Sequence, residues 1–197
     1  MSGSTAVIPN GVDLDRFCPE EKPEGPLTVL FVGSFRHLPN LLAYEALREK
    51  IMPRVWGEFP DAVLDVIAGP NHDRAAATAG KEHLLAEDTR IRLNGFVEDV
   101  RPAYRGADVV TIPLPVSAGT NIKLMEAMAC GRAIVSTPVG CAGLNLADGR
   151  DLLIAGLDGD FTDAVIALLR DAALRKRIAE EARATAVRRF GWDAIAY

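Results

Sequence analysis

Two charged side chains, Lys123 and Glu126, stand in an otherwise apolar helical stretch and are the best candidates for chemistry in this chain. Residues 117–140 predict a small-residue loop, a helix capped by Thr120, a glycine turn and a buried strand. With Thr120 as the cap, Lys123 lies in the first helical turn, where the helix dipole disfavours a cation by about 0.3–1 kcal/mol. A carboxylate such as that of Glu126 is expensive to bury unless hydrogen bonds satisfy it. The unfavourable position of Lys123 in the helix dipole and the cost of burying the Glu126 carboxylate both need an explanation.

Two interpretations of this pair stay open at this point. In the functional one, an anion binds at the helix start, held by Lys123 and free backbone N–H groups, and Glu126 accepts hydrogen bonds from ligand hydroxyls. In the structural one, the two residues form an i,i+3 surface pair worth about a few tenths of a kcal/mol. Both predict an amphipathic helix whose buried face contains Ile122, Met125 and Ala129.

Apolar segments alternate with helical stretches along the whole chain, which predicts an α/β fold with a parallel sheet covered by helices on both faces. In such sheets, ligands bind beyond the carboxyl ends of the strands. The predicted strands are 27–33, 63–69, 91–95, 108–113, 133–136 and 151–155. The other predicted helices are 41–56 (capped by Asn40), 74–86, 100–105, 160–170 and 173–189. Loops 33–40, 69–73, 95–99 and 113–121 therefore share one edge.

Two of these loops carry further candidate residues. Gly33-Ser-Phe-Arg36 places a flexible turn and a cation after the first strand, either to neutralise a phosphate or as an ordinary loop with a solvated arginine. Asn94-Gly-Phe-Val97 could present its backbone to a planar base, or form a simple turn with Phe96 packed inward. No G-x-G-x-x-G or Walker pattern is present, which argues against a nicotinamide-dependent oxidoreductase.

The bulk properties exclude several classes of protein. The 197 residues are 49% hydrophobic and 25% charged, typical of a globular protein with a sizeable core. A net charge of −5 gives no basic footprint for nucleic acid. Three cysteines without paired spacing, together with histidines that lack metal-ligand spacing, predict neither a disulfide framework nor a zinc site.

Several motifs, in order and with their spacing, resemble the C-terminal half of glycosyltransferase family 4. The resemblance covers almost the whole chain and is carried by residues 7–17 (VIPNGVDLDRF), 31–34 (FVGS), 94–97 (NGFV), 104–108 (YRGAD) and 123–131 (KLMEAMACG). It implies one lobe of a GT-B fold, a Rossmann-like domain that binds a nucleotide-diphosphate sugar, in a retaining hexosyltransferase-like enzyme that needs no metal or other cofactor.

The resemblance also implies roles for individual residues. Glu126 matches the glutamate that binds the donor ribose hydroxyls, Arg36 a basic residue near the diphosphate, and Val97 the contact to the base. Lys123 resembles the lysine of a subgroup that has Gly-Thr-x-x-Lys before the glutamate. The loop whose backbone amides meet the phosphates and the sugar is matched by Gly119, Thr120 and Asn121.

The sequence departs from the family pattern at two places. Ala118 stands where a glutamate often faces the transferred sugar, and the basic residue expected a few positions after Arg36 is replaced by Leu38-Pro-Asn40. Ala118 is the main support for an alternative, a non-catalytic interaction lobe that keeps the fold but has lost donor use. The second departure leaves open whether Lys123 substitutes for the missing cation.

The expected organisation follows from the same resemblance. Residues 1–26 are interpreted as a leader and interdomain linker, 27–190 as the nucleotide-sugar-binding domain and 191–197 as the start of a truncated segment. The acceptor-binding N-terminal domain would be the missing partner, so this fragment is expected to bind nucleotide diphosphate weakly and to transfer no sugar alone. We expect a cytoplasmic protein that binds no nucleic acid, and a peripheral contact with the inner face of the membrane, through the missing half, stays open.

Overall fold

One parallel sheet organises the chain in the computed structural model, which describes residues 10–116, 119 and 121–195. The strand order is β3-β2-β1-β4-β5-β6, and every neighbouring pair is parallel. The strands are β1 (Thr28–Val32), β2 (Val63–Ile67), β3 (Ile91–Asn94), β4 (Val109–Ile112), β5 (Ala133–Ser136) and β6 (Leu153–Ile154). All six predicted strands are thus present, several of them shorter than predicted.

Helices connect the strands and cover the sheet. They are α1 (Leu38–Ala46), a π-helix (Leu47–Ile51), α2 (Met52–Glu58), α3 (His72–Thr78), a 3-10 helix (Glu82–Leu85), α4 (Arg101–Gly106), α5 (Ile122–Ala129), α6 (Asp160–Arg170), α7 (Ala172–Arg189) and α8 (Trp192–Ile195). Every residue of β4 and β5 is buried, as expected for strands with both faces covered. The predicted α/β architecture is confirmed.

Two predicted helices differ from the structure for identifiable reasons. The helix predicted from residue 41 begins at Leu38 with His37 as its N-cap residue, so Asn40 lies in the first turn and the prediction that it caps the helix is wrong. Pro53 has no N–H for an α-helical bond, and the helix passes through a π-helical turn just before it. The helix predicted over 74–86 stops after Thr78, because Gly80 adopts a left-handed φ of 65°.

The helix that carries Lys123 and Glu126 is α5, and it begins later than predicted. Asn121 occupies its N-cap position, whereas Thr120, the predicted cap, lies outside the described residues. Met125 and Ala129 are buried as predicted. Ile122 is 48% exposed, so its assignment to the buried face is wrong, because it is the first helical residue, at the carboxyl edge of the sheet.

The segment before β1 packs onto this domain. Val12 and Phe17 are buried, Val12 bridges Gly191, and Arg183 Nη1 donates to the Phe17 carbonyl at 3.1 Å. Phe17 also meets the ring of Tyr104 edge-on, with centroids 6.2 Å apart. These contacts bring residues 12–17 next to the helices α4 and α7. None of the helices in the described part of the chain is long and apolar enough to cross a membrane.

Candidate functional site

The candidate site lies where the strand order reverses. The chain runs from β1 outward to β2 and β3, then returns to place β4 on the other side of β1. In open parallel sheets, the crevice at this reversal is the usual ligand site. Helix α1 follows β1 and α5 follows β4, and a hydrogen bond between Lys123 Nζ and Asn40 Oδ1, 2.7 Å long, joins these two helices.

Lys123 is held in a largely apolar setting near the end of β1. Its Nζ lies 5.2 Å from the centroid of the Phe31 ring, and a Cβ added to Gly33 would lie only 3.0 Å from it. Burial lowers the pKa of Lys123 to about 8, although the negative charge of Glu126 opposes that shift. The amine therefore sits at the end of β1 with its charge poorly solvated, a setting that favours an anionic partner.

Glu126 has a different partner from Lys123. The Tyr104 hydroxyl donates to Glu126 Oε2 at 2.9 Å and lies 3.2 Å from the Lys123 carbonyl oxygen. Burial raises the pKa of Glu126, while the bond from Tyr104 and the charges of Arg16 and Lys123 oppose the shift. Both charged residues are partly buried, and each is bonded to a neighbouring element. The interpretation of a simple surface pair is therefore wrong.

Replacing Tyr104 with phenylalanine should lower the free energy of unfolding by about 1–2 kcal/mol at neutral pH, because a partly buried carboxylate loses its donor. The loss should shrink as the pH falls through the raised pKa of Glu126, since the protonated carboxyl gains less from the hydroxyl. Urea unfolding at pH 7 and at about pH 4 measures both values. Tyr44→Phe is the matched control, because the buried Tyr44 hydroxyl donates to the Leu84 carbonyl. The same pH dependence in both variants would contradict the role given to Tyr104.

The start of α5 provides backbone rather than side-chain groups. The exception is the Asn121 side chain, whose Nδ2 donates to the Gly140 carbonyl at 2.7 Å and fixes the N-cap residue against the loop after β5. Gly119 is exposed, adopts a left-handed φ of 82° and would leave an added Cβ without a neighbour within 4 Å. Thr120 and Ala118 lie outside the described residues. The first N–H groups of α5 thus point toward the open edge of the sheet, where an anion is favoured.

Arg36 faces a separate cavity. This cavity of about 530 Å³ lies between α1 and α3, and among the described residues its lining includes Arg36 and Arg74 but neither Lys123 nor Glu126. Phe35, next to Arg36, is buried against the Tyr44 ring. The structure therefore brings the Arg36 loop to the same edge of the sheet without joining its guanidinium to the Lys123–Glu126 pair.

The turn after β3 has an exposed aromatic ring. Phe96 is 70% exposed, so the alternative in which it packs inward is wrong. Val97 is half-buried and packs against the core instead. An apolar surface at this strand end can meet a planar base through either residue.

The sequence does not identify two residues of the site. It predicts Asn40 as a helix cap, and it contains Tyr104 only as part of the Tyr-Arg-Gly-Ala-Asp motif. Both contact α5 from another helix, at separations of 83 and 22 residues along the chain. The family motif around Tyr104 could have identified that residue as part of the site. For Asn40, the only indication in the sequence is its position in a loop at the carboxyl edge of the sheet.

One group among the described residues could hold a metal ion, and it lies outside this site. Glu45, Glu49 and His83 bring ligand atoms within 4.8 Å of one another on α1, the π-helix and the 3-10 helix. Lys81 already pairs with Glu45 at 2.5 Å, and His83 Nε2 lies 3.2 Å from Glu49. The group is therefore engaged in an ion pair between Lys81 and Glu45 and a hydrogen-bond contact between His83 and Glu49.

Comparisons with solved structures agree with the fold described above. The C-terminal domain of a glycosyl transferase group 1 family protein from Francisella tularensis matches with a TM-score of 0.71 at 19% identity, over 92% of this chain and 100% of that chain. Anabaena HepE, solved in complex with UDP-glucose, matches with a TM-score of 0.72 at 17% identity, over 96% of this chain and 54% of that chain. The predicted Rossmann-like fold of GT-B glycosyltransferases is confirmed.

Sequence comparisons identify the family. The phosphatidyl-myo-inositol mannosyltransferase of Mycobacterium tuberculosis is 33% identical over 211 residues, which cover 98% of this chain and 52% of that protein. The chain therefore spans about half the length of this curated relative. The family described as Glycosyl transferases group 1 matches residues 26–171. Because this match covers most of the chain, the protein belongs to the glycosyl transferases group 1 family.

Proposed function

We propose that this chain is the donor-binding half of a retaining family 4 glycosyltransferase that uses a nucleotide-diphosphate sugar. One observation carries the proposal: Lys123 and Glu126 lie three residues apart on α5 at the strand-order reversal, each held by a partner from another helix. The diphosphate would bind near the start of α5 and Lys123. The ribose hydroxyls would donate to Glu126, whose Oε2 already accepts from Tyr104.

The chemistry of this half is charge stabilisation. When the sugar–phosphate bond breaks, negative charge grows on the departing diphosphate, and preorganised cations and backbone N–H groups lower the barrier most effectively. Lys123, the amides of Gly119, Thr120 and Asn121, and Arg36 from the first loop would supply these groups. We propose that no metal ion is required, because the ammonium takes the position of a charge-neutralising group. Val97 would contact the base.

The other half of the reaction belongs to a partner domain in this proposal. The mycobacterial relative, twice as long as this chain, is named for transfer to a phosphatidyl-inositol, and HepE was crystallised with UDP-glucose. We therefore propose that an acceptor-binding N-terminal domain completes the site, that the protein acts in the cytoplasm, and that the missing half makes any contact with the inner face of the membrane. This chain alone should transfer no sugar.

Calorimetric titration with UDP, GDP and ADP tests the proposal. One of the three should bind, and Glu126→Ala should weaken that binding by about tenfold to a hundredfold, the value of a hydrogen bond to a charged group. Glu180→Ala is the control, because Glu180 is exposed on α7 and pairs only with Lys176 among the described ion pairs. Unchanged binding by Glu126→Ala would overturn the ribose assignment.

The same titration distinguishes the proposed donor-binding function from the alternative, a non-catalytic interaction lobe. Its support is Ala118, which lies outside the described residues. If none of the three nucleotides binds to the wild-type chain or to the full-length protein, donor binding is lost and the interaction lobe is the better assignment. Binding with a normal Glu126 dependence would instead favour the transferase.

A further inference from the structure

The side chain of Asn40 joins the two helices that flank the strand-order reversal. Its Nδ2 donates to the Ser34 carbonyl at 3.0 Å, and its Oδ1 accepts from Lys123 Nζ at 2.7 Å. A carbonyl oxygen can only accept, so Ser34 fixes which end of the amide carries the N–H groups. The amide oxygen is thereby directed at the ammonium. Asn40 is 8% exposed, so this arrangement is set by packing.

This hydrogen bond places the Lys123 ammonium group, which belongs to α5, at the end of β1. A Cβ on Gly33 would lie 2.8 Å from the Asn40 side chain and 3.0 Å from Lys123 Nζ, so the absence of a side chain at this position leaves room for both. An ammonium group has three N–H donors. The bond to Asn40 is the one that Lys123 Nζ makes within the described residues, which leaves two donors for a ligand.

A neutral acceptor has a particular consequence at this place. An aspartate would hold the ammonium more strongly but would cancel its charge, whereas an amide holds it and leaves the full charge for a ligand. The groups that face Lys123 from β1 and α1, Phe31, Gly33 and Asn40, are all uncharged. The charged residue that acts on it is Glu126, on the same helix.

We propose that Asn40 is a positioning residue, a neutral clamp that holds the Lys123 ammonium over the loop after β1 so that its charge meets the diphosphate of the donor. This inference rests on the proposed function. The proposal gives Asn40, in the first turn of α1, a role in donor binding that the sequence pattern does not predict. It also explains how a lysine can stand in the first turn of α5 despite the helix dipole, because the amide of Asn40 stabilises the ammonium.

The test combines binding with the titration of Lys123 itself. The nucleoside diphosphate that binds the wild-type chain is titrated by calorimetry between pH 6.5 and 9.5 into wild type, Asn40→Ala and Asn40→Asp. In parallel, NMR of ¹³Cε-labelled lysine follows Lys123, assigned from the signal lost in Lys123→Met. Phosphate groups are fully ionised above about pH 7.5, and the uracil and guanine rings lose a proton only at the alkaline end of the range, so changes between about pH 7.5 and 8.5 report the protein.

The clamp predicts opposite titration shifts in the two variants. Asn40→Asp should raise the pKa of Lys123, because a carboxylate stabilises the ammonium, yet weaken diphosphate binding about tenfold or more, because it cancels the charge. Asn40→Ala should lower the pKa of Lys123 and weaken binding by roughly three- to tenfold, since the charged form loses its acceptor. Wild-type affinity should be level between about pH 7.5 and pH 8, where the phosphates are ionised and Lys123 is charged, and fall above pH 8.

Contrary outcomes are distinguishable. A purely structural Asn40 would lower stability in both variants while leaving the Lys123 titration unchanged, and that result would overturn the clamp while the proposed function stands. If the wild-type chain bound none of the nucleoside diphosphates, both the proposed function and the role of Asn40 in diphosphate binding would be overturned. Thermal unfolding checks that both variants fold, and Asn40→Ser, which keeps a small neutral acceptor, replaces any variant that does not. Its titration should lie between those of Asn40→Ala and the wild type.

Discussion

Replacing Lys123 with methionine should weaken binding of the nucleoside diphosphate by about thirtyfold to a hundredfold and, at the same time, make the domain more stable. The affinity falls because the phosphates lose a charge-assisted hydrogen bond at the end of β1. The free energy of unfolding should rise by about 1–2 kcal/mol at pH 7, because removing a poorly solvated ammonium outweighs the loss of its hydrogen bond to Asn40. Calorimetry and urea unfolding measure the two effects.

The gain in stability should depend on pH in a defined direction. The pKa of Lys123 is lowered to about 8 in the folded chain, from 10.5 as the unperturbed value. Below pH 8 the residue is charged in both states, so the folded state bears the full cost of burying the charge. Between pH 8 and 10.5 the folded state has released the proton and the unfolded state has not, so wild-type stability rises with pH. The advantage of Lys123→Met should therefore be largest below pH 8 and vanish toward pH 10.5.

Lys176→Met is the matched control for both measurements. Lys176 is 78% exposed on α7 and pairs with Glu180 at 3.8 Å, so its loss should change stability and affinity little. If Lys123→Met were destabilised like an ordinary core substitution, with unchanged nucleotide affinity, Lys123 would be a structural residue and its assignment to the diphosphate would fail.

Replacing Gly140 with alanine should lower the free energy of unfolding by about 2–3 kcal/mol, because the added methyl group has no space. An added Cβ would lie 2.5 Å from Ser136 Oγ and 2.8 Å from the backbone oxygen of Ile112, which cannot move without disturbing β4. Differential scanning calorimetry should show a melting temperature lower by about 5–10 °C.

The Gly140→Ala substitution should also disturb the geometry of the candidate site. The Gly140 carbonyl accepts a hydrogen bond from the side-chain Nδ2 of Asn121, the N-cap residue of α5, so a displaced loop moves the start of the helix that carries Lys123. Gly57→Ala is the control, since a Cβ there meets nothing within 4 Å and alanine favours α2. Equal stability of the two variants would show that the loop after β5 yields more easily than its packing indicates.

The amino-acid sequence by itself determined the architecture. Short apolar runs alternate with helical stretches, and runs without polar alternation, such as 133–136, predict strands buried on both faces. This pattern is local, so it can be detected without knowledge of distant contacts. Because parallel strands share a carboxyl edge, the sequence also predicted which loops meet, and it singled out Lys123 and Glu126 as costly where they stand.

Tertiary structure alone decided what these two residues touch. Asn40 and Tyr104 reach α5 from other helices, and no periodicity in the sequence encodes a hydrogen bond across 83 or 22 positions. The same holds for the wrong prediction that Ile122 is buried and for Phe96, whose packing the sequence left open: the exposure of both depends on where the sheet edge lies, not on their own hydrophobicity. Local pattern fixes which elements form, because each residue's preference acts on its neighbours. The partner of a buried charge is fixed only when packing brings distant side chains together.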